Sequence, residues 1–310
     1  METYLKDLRW GRFNLIKGDM ISNIACAYGE WSDVEVEVFQ QILSAEANVV
    51  EVGSNIGMHA VPLAKFVSKG KLICFEPQRI IFQQLCCNLA LNNLTNVETY
   101  RMGVGDKRES ILIEDCDYSQ SWNYGSFSLD KGFSTESNFG QGVSKQALEV
   151  VNLDDFAPVQ NLERLDLLKV DAEGFDIKVL EGARQTIERF KPMIFIEIQA
   201  NSYAHIWEKM TAIGYKCYWV VSERYQKDNF YQAQRIAGEY GVDANFLCIA
   251  NSEWDKLFAQ HSTAQHSTAQ HSTAQHSTAQ HSTAQQDYYN FYLLLCQLTI
   301  QLNLYRKVRI

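Results

Sequence analysis

VVEVGSNIGMHAVPLA, Val49 to Ala64, is an apolar strand-like run ending in an acid, followed by a glycine loop and then helical sequence. A buried strand feeding a helix through a tight turn is the repeating unit of α/β proteins. Gly53 and Gly57 can take backbone angles that other residues resist, and they present no side chain. A bulky ligand can therefore lie against the main chain above a helix N-terminus, with Glu51 at the mouth of the loop. The GxxxG spacing differs from the GxGxxG of a dinucleotide fingerprint. A tight strand-to-helix turn with no ligand is the plain alternative.

The next segment shifts the balance toward a ligand. KLICFEPQ, Lys71 to Gln78, reads as a second buried strand ending in Glu76. A carboxylate at the tip of the second strand of such a sheet can accept hydrogen bonds from both ribose hydroxyls of a nucleoside. An isolated Glu at a strand end is ordinarily just solvated, but this one follows a glycine-rich first turn.

Outward from these two strands, the alternation of strand and helix continues. Met1 to Leu43 reads as an N-terminal cap, with a short hairpin region and then a helix over Asp33 to Leu43; the core sheet begins at Asn48. In IIFQQLCCNLALNN, Ile80 to Asn93, the spacing of Ile81, Leu85 and Leu89 predicts a helix packed on a sheet. Val97 to Asp106 is a third strand closing in a Gly-Asp turn. Residues 109–149 break the alternation, are rich in Ser, Asn and Gly, and read as an insertion over the strand ends. Leu165 to Asp176 is a strand with acids at its exit, and Asp176 to Phe190 is the following helix. PMIFIEIQ, Pro192 to Gln199, is a fifth strand, and Ser202 to Gly214 is a helix. Tyr215 to Ser222 and Ala244 to Asn251 form a late strand pair without a clear crossover helix, which predicts one antiparallel strand at the end of the sheet. Pro62 lies inside the first helix and is expected to kink it.

Composition bounds the function classes. The 310 residues suit one sizeable domain plus appendages, and 46% apolar residues suit a real core. A net charge of −9, from 28 basic and 37 acidic residues, argues against a dedicated nucleic-acid binder. The 8 cysteines form no CxxC and no zinc spacing, so free thiols in a reducing, cytoplasmic setting are expected. The N-terminal METYLKDLRWGRF lacks the apolar stretch of a signal peptide, and no run approaches a membrane span.

Five copies of HSTAQ run from His261 to Gln285. A five-residue period keeps no constant face on either a helix or a strand, so residues 259–286 read as a low-complexity linker. The remaining 287–310 are apolar and end basic. They suit docking, subunit pairing or weak contact with a membrane surface, and the sequence does not rank these.

With the acid-ended strands aligned, residues 10–251 resemble the FkbM family of S-adenosylmethionine-dependent methyltransferases. The ordered blocks VVEVGSNIGMHAVPLA, CFEPQRIIFQQLCCNLALNNLTNV, GVGD, NLDDF, LLKVDAEGFDIKVLEGA and PMIFIEIQ carry the resemblance. It implies the class I methyltransferase fold over 48–254: an α/β three-layer sandwich around a seven-stranded, mostly parallel sheet with one antiparallel strand. It also implies O-methylation of a hydroxyl on a small molecule, natural product or sugar. By position, Glu51, Gly53, Ser54, Asn55 and Gly57 would form the methionine-facing turn, and Glu76 would be the ribose acid. Gly105 and Asp106 would approach the adenine. Asp171 and Glu173 would flank the reacting sulfonium.

Methyl transfer requires the acceptor oxygen to be held in line with methyl and sulfur, and a protonated hydroxyl is a poor nucleophile. Asp171 and Glu173 are the best-placed candidate bases. Such oxygen ligands also suit magnesium, but the domain has no His-rich metal spacing and no metal is assigned. His59, one turn into the first helix, suits either the cofactor edge or helix packing. Trp122, Asn123, Tyr124, Gly125 and Ser126 suit an acceptor lid or an ordinary surface loop. Two other readings stay open: an NAD-dependent oxidoreductase, disfavoured by the missing third glycine, and a non-catalytic nucleoside- or partner-binding module of the same fold.

Overall fold

The computed structural model describes residues 1–114, 118, 123–129, 132–133, 145–199 and 202–253. The HSTAQ repeats, the 287–310 tail and Trp122 lie outside these described residues.

The N-terminal region is a hairpin of β1 (Thr3–Leu8) and β2 (Gly11–Ile16), followed by α1 (Met20–Tyr28) and α2 (Asp33–Ile42). The sequence reading missed α1. Its start is set by Asp19, whose carboxylate accepts from the Ser22 backbone N–H at 2.8 Å, and its end by Gly29 at φ +80°. The hairpin is stitched to the body of the protein. The Asn14 backbone N–H donates to Asn88 Oδ1 at 2.7 Å, and Asn88 Nδ2 donates to the Ile56 carbonyl at 2.7 Å.

The main domain opens with β3 (Asn48–Val52), α3 (Ala60–Phe66), β4 (Lys71–Phe75), α4 (Arg79–Leu91) and β5 (Val97–Tyr100). Next come β6 (Gly103–Val104), β7 (Glu109–Glu114), β8 (Phe127–Ser128), β9 (Gly132–Phe133), β10 (Lys145–Val151) and α5 (Ala157–Gln160). It closes with β11 (Leu167–Val170), α6 (Asp176–Gly182), α7 (Arg184–Phe190), β12 (Met193–Glu197), α8 (Tyr203–Ala212), β13 (Tyr215–Glu223) and β14 (Val242–Ala250). The seven-stranded sheet has the order β13-β14-β12-β11-β3-β4-β5, and β14 runs antiparallel to both its neighbours. This is the class I methyltransferase architecture expected above.

Strand periodicity assigns the two faces. Val49, Leu72, Cys74, Leu167 and Phe195 pack with α3, α4 and the N-terminal hairpin. Val50, Ile73, Phe75, Leu168 and Ile194 pack against α6, α7 and α8. Coverage of both faces explains why these strands read as continuous apolar runs.

Three local expectations need correction. The third strand stops at Tyr100, and Gly103–Val104 pairs instead with β10 in a small second sheet that also holds β7, so 109–149 is partly built structure. The 176–190 helix is two helices. A Cβ at Gly182 would sit 1.9 Å from the Gly105 carbonyl oxygen, so main chain meets main chain where α6 ends. Pro62 is the third residue of α3, inside the first turn, where its missing N–H breaks little of the ladder and no kink is required.

Candidate active site

The sheet's strand ends and the N-terminal segments enclose a cleft of about 1120 Å³, counting its open mouth. At one end, β3 runs into the glycine loop. The backbone N–H groups of Gly53 and Ser54 both donate to the Phe75 carbonyl at 3.0 Å, tying the loop to the tip of β4. Gly53 has φ +82°, and a Cβ there would lie 1.8 Å from the Asp171 carbonyl oxygen, so no other residue fits. Asn55 is also left-handed, at φ +50°. Its N–H donates to Glu76 Oε2 at 3.0 Å, while Gln78 N–H donates to Glu76 Oε1 at 2.8 Å. Both Glu76 oxygens are thereby oriented by main-chain donors, each with a lone pair to spare. Burial pushes this carboxyl up to about 7, against the pull of its two backbone donors, and the charges of Asp171 and Glu51 add to the rise. Gln78 Nε2 donates to the Tyr124 carbonyl at 2.7 Å, which pins the turn carrying Asn123 and Gly125 over the cleft.

Beneath the loop lies a buried ion cluster. Lys169 stands in β11 directly opposite Glu51 of β3. Its Nζ is 3.5 Å from Glu51 Oε1 and 3.5 Å from Asp171 Oδ2, with 2% of its side chain exposed. Burial alone would favour a neutral amine; Asp171, Glu51 and Glu35 outweigh it and raise the lysine above its ordinary value.

The far wall is acidic. Asp171 follows β11, Glu173 occupies the next loop at φ +49°, and Glu197 ends the adjacent β12; one carboxylate oxygen from each lies within 4.8 Å of the others. Asp176 shapes this loop by accepting from the N–H groups of Ala172 and Gly174, each at 2.9 Å. Arg224 grips Asp243 with two nitrogens and stacks over Trp31, while Ser32 donates to Asp243 at 2.8 Å. Glu35 accepts from Ser222 Oγ at 3.0 Å and Asn245 Nδ2 at 2.9 Å, and burial raises it to about 8.

Of the residues picked from sequence, Gly53, Ser54, Asn55, Glu76, Asp171 and Glu173 line the cleft. Glu51 lines it from below, fully buried as partner of Lys169. Gly57, at φ +91°, turns the chain into α3 against Leu85 and does not line the cleft. Asp106 is exposed and outside the cleft, and Gly105 lies under Phe175, while Met102, Gly103 and Val104 line the cleft in this stretch. His59 is 7% exposed and packs edge-on to Phe39, with Nε2 3.8 Å from Glu35 Oε2 and no hydrogen bond. Lys169, Glu197, Glu35, Arg224 and Asp243 were not picked. Lys169 alone left a signal: a charged residue inside an otherwise apolar strand, two positions before Asp171.

The buried acids set a pH dependence. Glu30 and Glu76 titrate at about 7 and Glu35 at about 8, all above the ordinary 4.5, with burial the leading cause. A raised carboxyl contributes stability that is full below its unfolded value and lost as pH rises through its folded value. His59, depressed by burial and Lys169, acts oppositely, but only as pH falls below its ordinary 6.5. From pH 6.5 to about 8 the carboxylates therefore dominate, and the melting temperature of the ligand-free protein should fall. Thermal melts across that window check this; a rise would contradict it.

The Methyltransferase FkbM domain family matches residues 51–217. The chain is 28% identical over 196 residues to Methyltransferase sdnD of Sordaria araneosa, covering 54% of this chain and 74% of that one. It is 23% identical over 163 residues to 2-O-methyltransferase NoeI of Sinorhizobium fredii, covering 50% of this chain and 66% of that one. Among solved structures, Methyltransferase FkbM from Methylobacillus flagellatus KT aligns with TM-score 0.43 and 16% identity, over 66% of this chain and 44% of that one. The match thus spans less than half of that solved chain.

Proposed function

The chain belongs to the methyltransferase FkbM family, and from that premise we propose that it methylates a hydroxyl of a small molecule, natural product or sugar with S-adenosylmethionine as donor. The observation that carries this reading is Glu76: a buried carboxyl at the tip of β4, facing the cleft, with both oxygens oriented by backbone N–H groups. That arrangement, beside a loop where only glycine fits at position 53, suits a ribose diol lying against main chain. The 2-O-methyltransferase name of one relative supports the O-directed part.

When bound, S-adenosylmethionine supplies an electrophilic methyl group. Gly53, Ser54 and Asn55 would hold its methionine portion, Glu76 its ribose, and Met102 and Gly103 the adenine side. Asp171 and Glu173 stand at the acceptor end, where one of them takes the hydroxyl proton as the oxygen becomes nucleophilic. Trp31, Ser32, Glu35, Arg224 and Asn245 line the wall against which the acceptor would lie.

Calorimetric titration with S-adenosylmethionine, and separately with NAD, tests the reading. Glu76→Ala should weaken S-adenosylmethionine by about a hundredfold, since two hydrogen bonds to a carboxylate contribute about 3 kcal/mol. Unchanged affinity in the variant would remove Glu76 from the site. Binding of NAD alone would favour an oxidoreductase. Cofactor binding without turnover across a panel of hydroxylated acceptors would favour a non-catalytic module.

A further inference from the structure

The far wall of the cleft holds more carboxyl groups than cations to pair with them. Lys169 is shared by Glu51 and Asp171, and Arg224 is held by Asp243. Among the described residues, neither Glu173 nor Glu197 has an ion-pair partner. Glu197 shows the imbalance most sharply. Its Oε2 is sealed from solvent and has no hydrogen-bond partner, although the residue lines the same cleft. A buried acceptor left unmet in this way costs stability unless something else satisfies it.

The register of the sheet brings the three acids together. Val170 of β11 is paired with Ile196 of β12, so Asp171 and Glu197 are the next matched positions at the strand ends. The left-handed turn at Glu173 folds a third carboxylate back beside them, with all three oxygens within 4.8 Å of one another. Two ligands on opposite sides of a calcium ion, at about 2.4 Å each, lie about 4.8 Å apart, and around magnesium about 4.2 Å. An all-oxygen, all-carboxylate donor set selects hard divalent cations over zinc or copper.

We propose that Asp171, Glu173 and Glu197 form a binding site for one hard divalent cation of the magnesium–calcium class, with Glu197, half-buried at the end of β12, as the ligand that the sequence reading did not identify. The site itself stands on the carboxylates alone; its role rests on the methyltransferase reading. A cation there lies at the acceptor end of the cleft, where it lowers the pKa of a coordinated hydroxyl. The released proton passes to a carboxylate oxygen not bound to the ion.

Manganese(II) titrated into the full chain and followed by electron paramagnetic resonance of the free ion is the test. One saturable site is expected. Loss of an outer-shell partner alone typically weakens a metal site by about 10–100-fold, so Glu197→Gln should weaken binding by at least about tenfold, and Glu173→Gln likewise. Circular dichroism melts check that the variants fold. Absence of saturable binding to the wild-type chain at millimolar manganese would overturn the site without reference to any variant. Binding that Glu197→Gln leaves unchanged would also overturn it and would place the ion elsewhere, for example on the repeat histidines. S-adenosylmethionine calorimetry on the same preparation separates the two claims: cofactor bound without manganese ends the cation site alone, and manganese bound without cofactor ends the methyltransferase reading alone.

Discussion

Replacing Lys169 by methionine should lower the unfolding free energy by about 3–5 kcal/mol, the usual cost of removing one partner from a buried ion pair. The ammonium is held between Glu51 and Asp171 in the centre of the sheet, and Glu51 is fully buried. Without the lysine, Glu51 has no cation to answer its charge and takes up a proton to remain buried. Burial already raises its pKa, and Lys169 is the main influence opposing that rise. Urea denaturation measures the loss. The double variant Lys169→Met with Glu51→Gln should recover part of it, since the orphaned charge is then gone. A single-variant loss below about 1 kcal/mol would show that Glu51 is neutral in the native protein and that the pair contributes little.

Gly53→Ala should be comparably severe, by about 3–5 kcal/mol, and should abolish measurable S-adenosylmethionine binding. The left-handed backbone costs a non-glycine residue about 1–2 kcal/mol. The rest comes from contact, because the new methyl would lie 1.8 Å from the Asp171 carbonyl oxygen, a main-chain atom fixed by the Asp171 N–H bond to Val52. Relief requires β3 and β11 to separate at the strand ends that carry the site. Gly57→Ala provides the contrast. Its φ is +91°, but the new Cβ would be crowded only by Leu85 Cδ1, at 3.1 Å, a side-chain tip that can move, with Ala60 Cβ and Val61 Cγ2 at an ordinary 3.9 Å. Gly57→Ala should therefore cost only about the backbone term and retain cofactor binding. Equal effects at the two positions would refute the contact argument.

The glycine-loop side of the cleft was legible in the sequence because its features are local. A glycine loop between an apolar strand and a helix, and an acid two residues before Gln78 at the tip of the next strand, can be read from short windows. The reversal at the end of the sheet was legible from the missing crossover between Tyr215–Glu223 and Val242–Ala250. Beyond Asp171 and Glu173, the opposite wall was not legible, because its residues meet only through tertiary structure. Ser32 and Glu35 come from the N-terminal region and Arg224, Asp243 and Asn245 from the last strand pair, about two hundred residues away. Glu197 reads as an ordinary last residue of an apolar strand until the register sets it beside Asp171. Asp106 lies outside the cleft for a similar reason: Gly103–Val104 leaves the main sheet to pair with β10, and that long-range pairing has no local signature.

The two ends of the cleft are made of different material. Around Gly53 to Gln78 the groups that hold and shape the site are largely main-chain N–H and carbonyl groups, which substitution leaves in place so long as the loop keeps its path. Beyond Asp171, Glu173 and Glu197, the opposite wall consists of the side chains of Trp31, Ser32, Glu35, Arg224, Asp243 and Asn245, carried by two segments at the margins of the domain. Exchanging those side chains leaves every hydrogen bond of the glycine loop intact. On the proposed function, the preference for one acceptor over another can therefore drift, or be re-engineered, while the donor chemistry stays constant, and residues 31–35 and 224–245 are the stretches to randomise in a search for new acceptors.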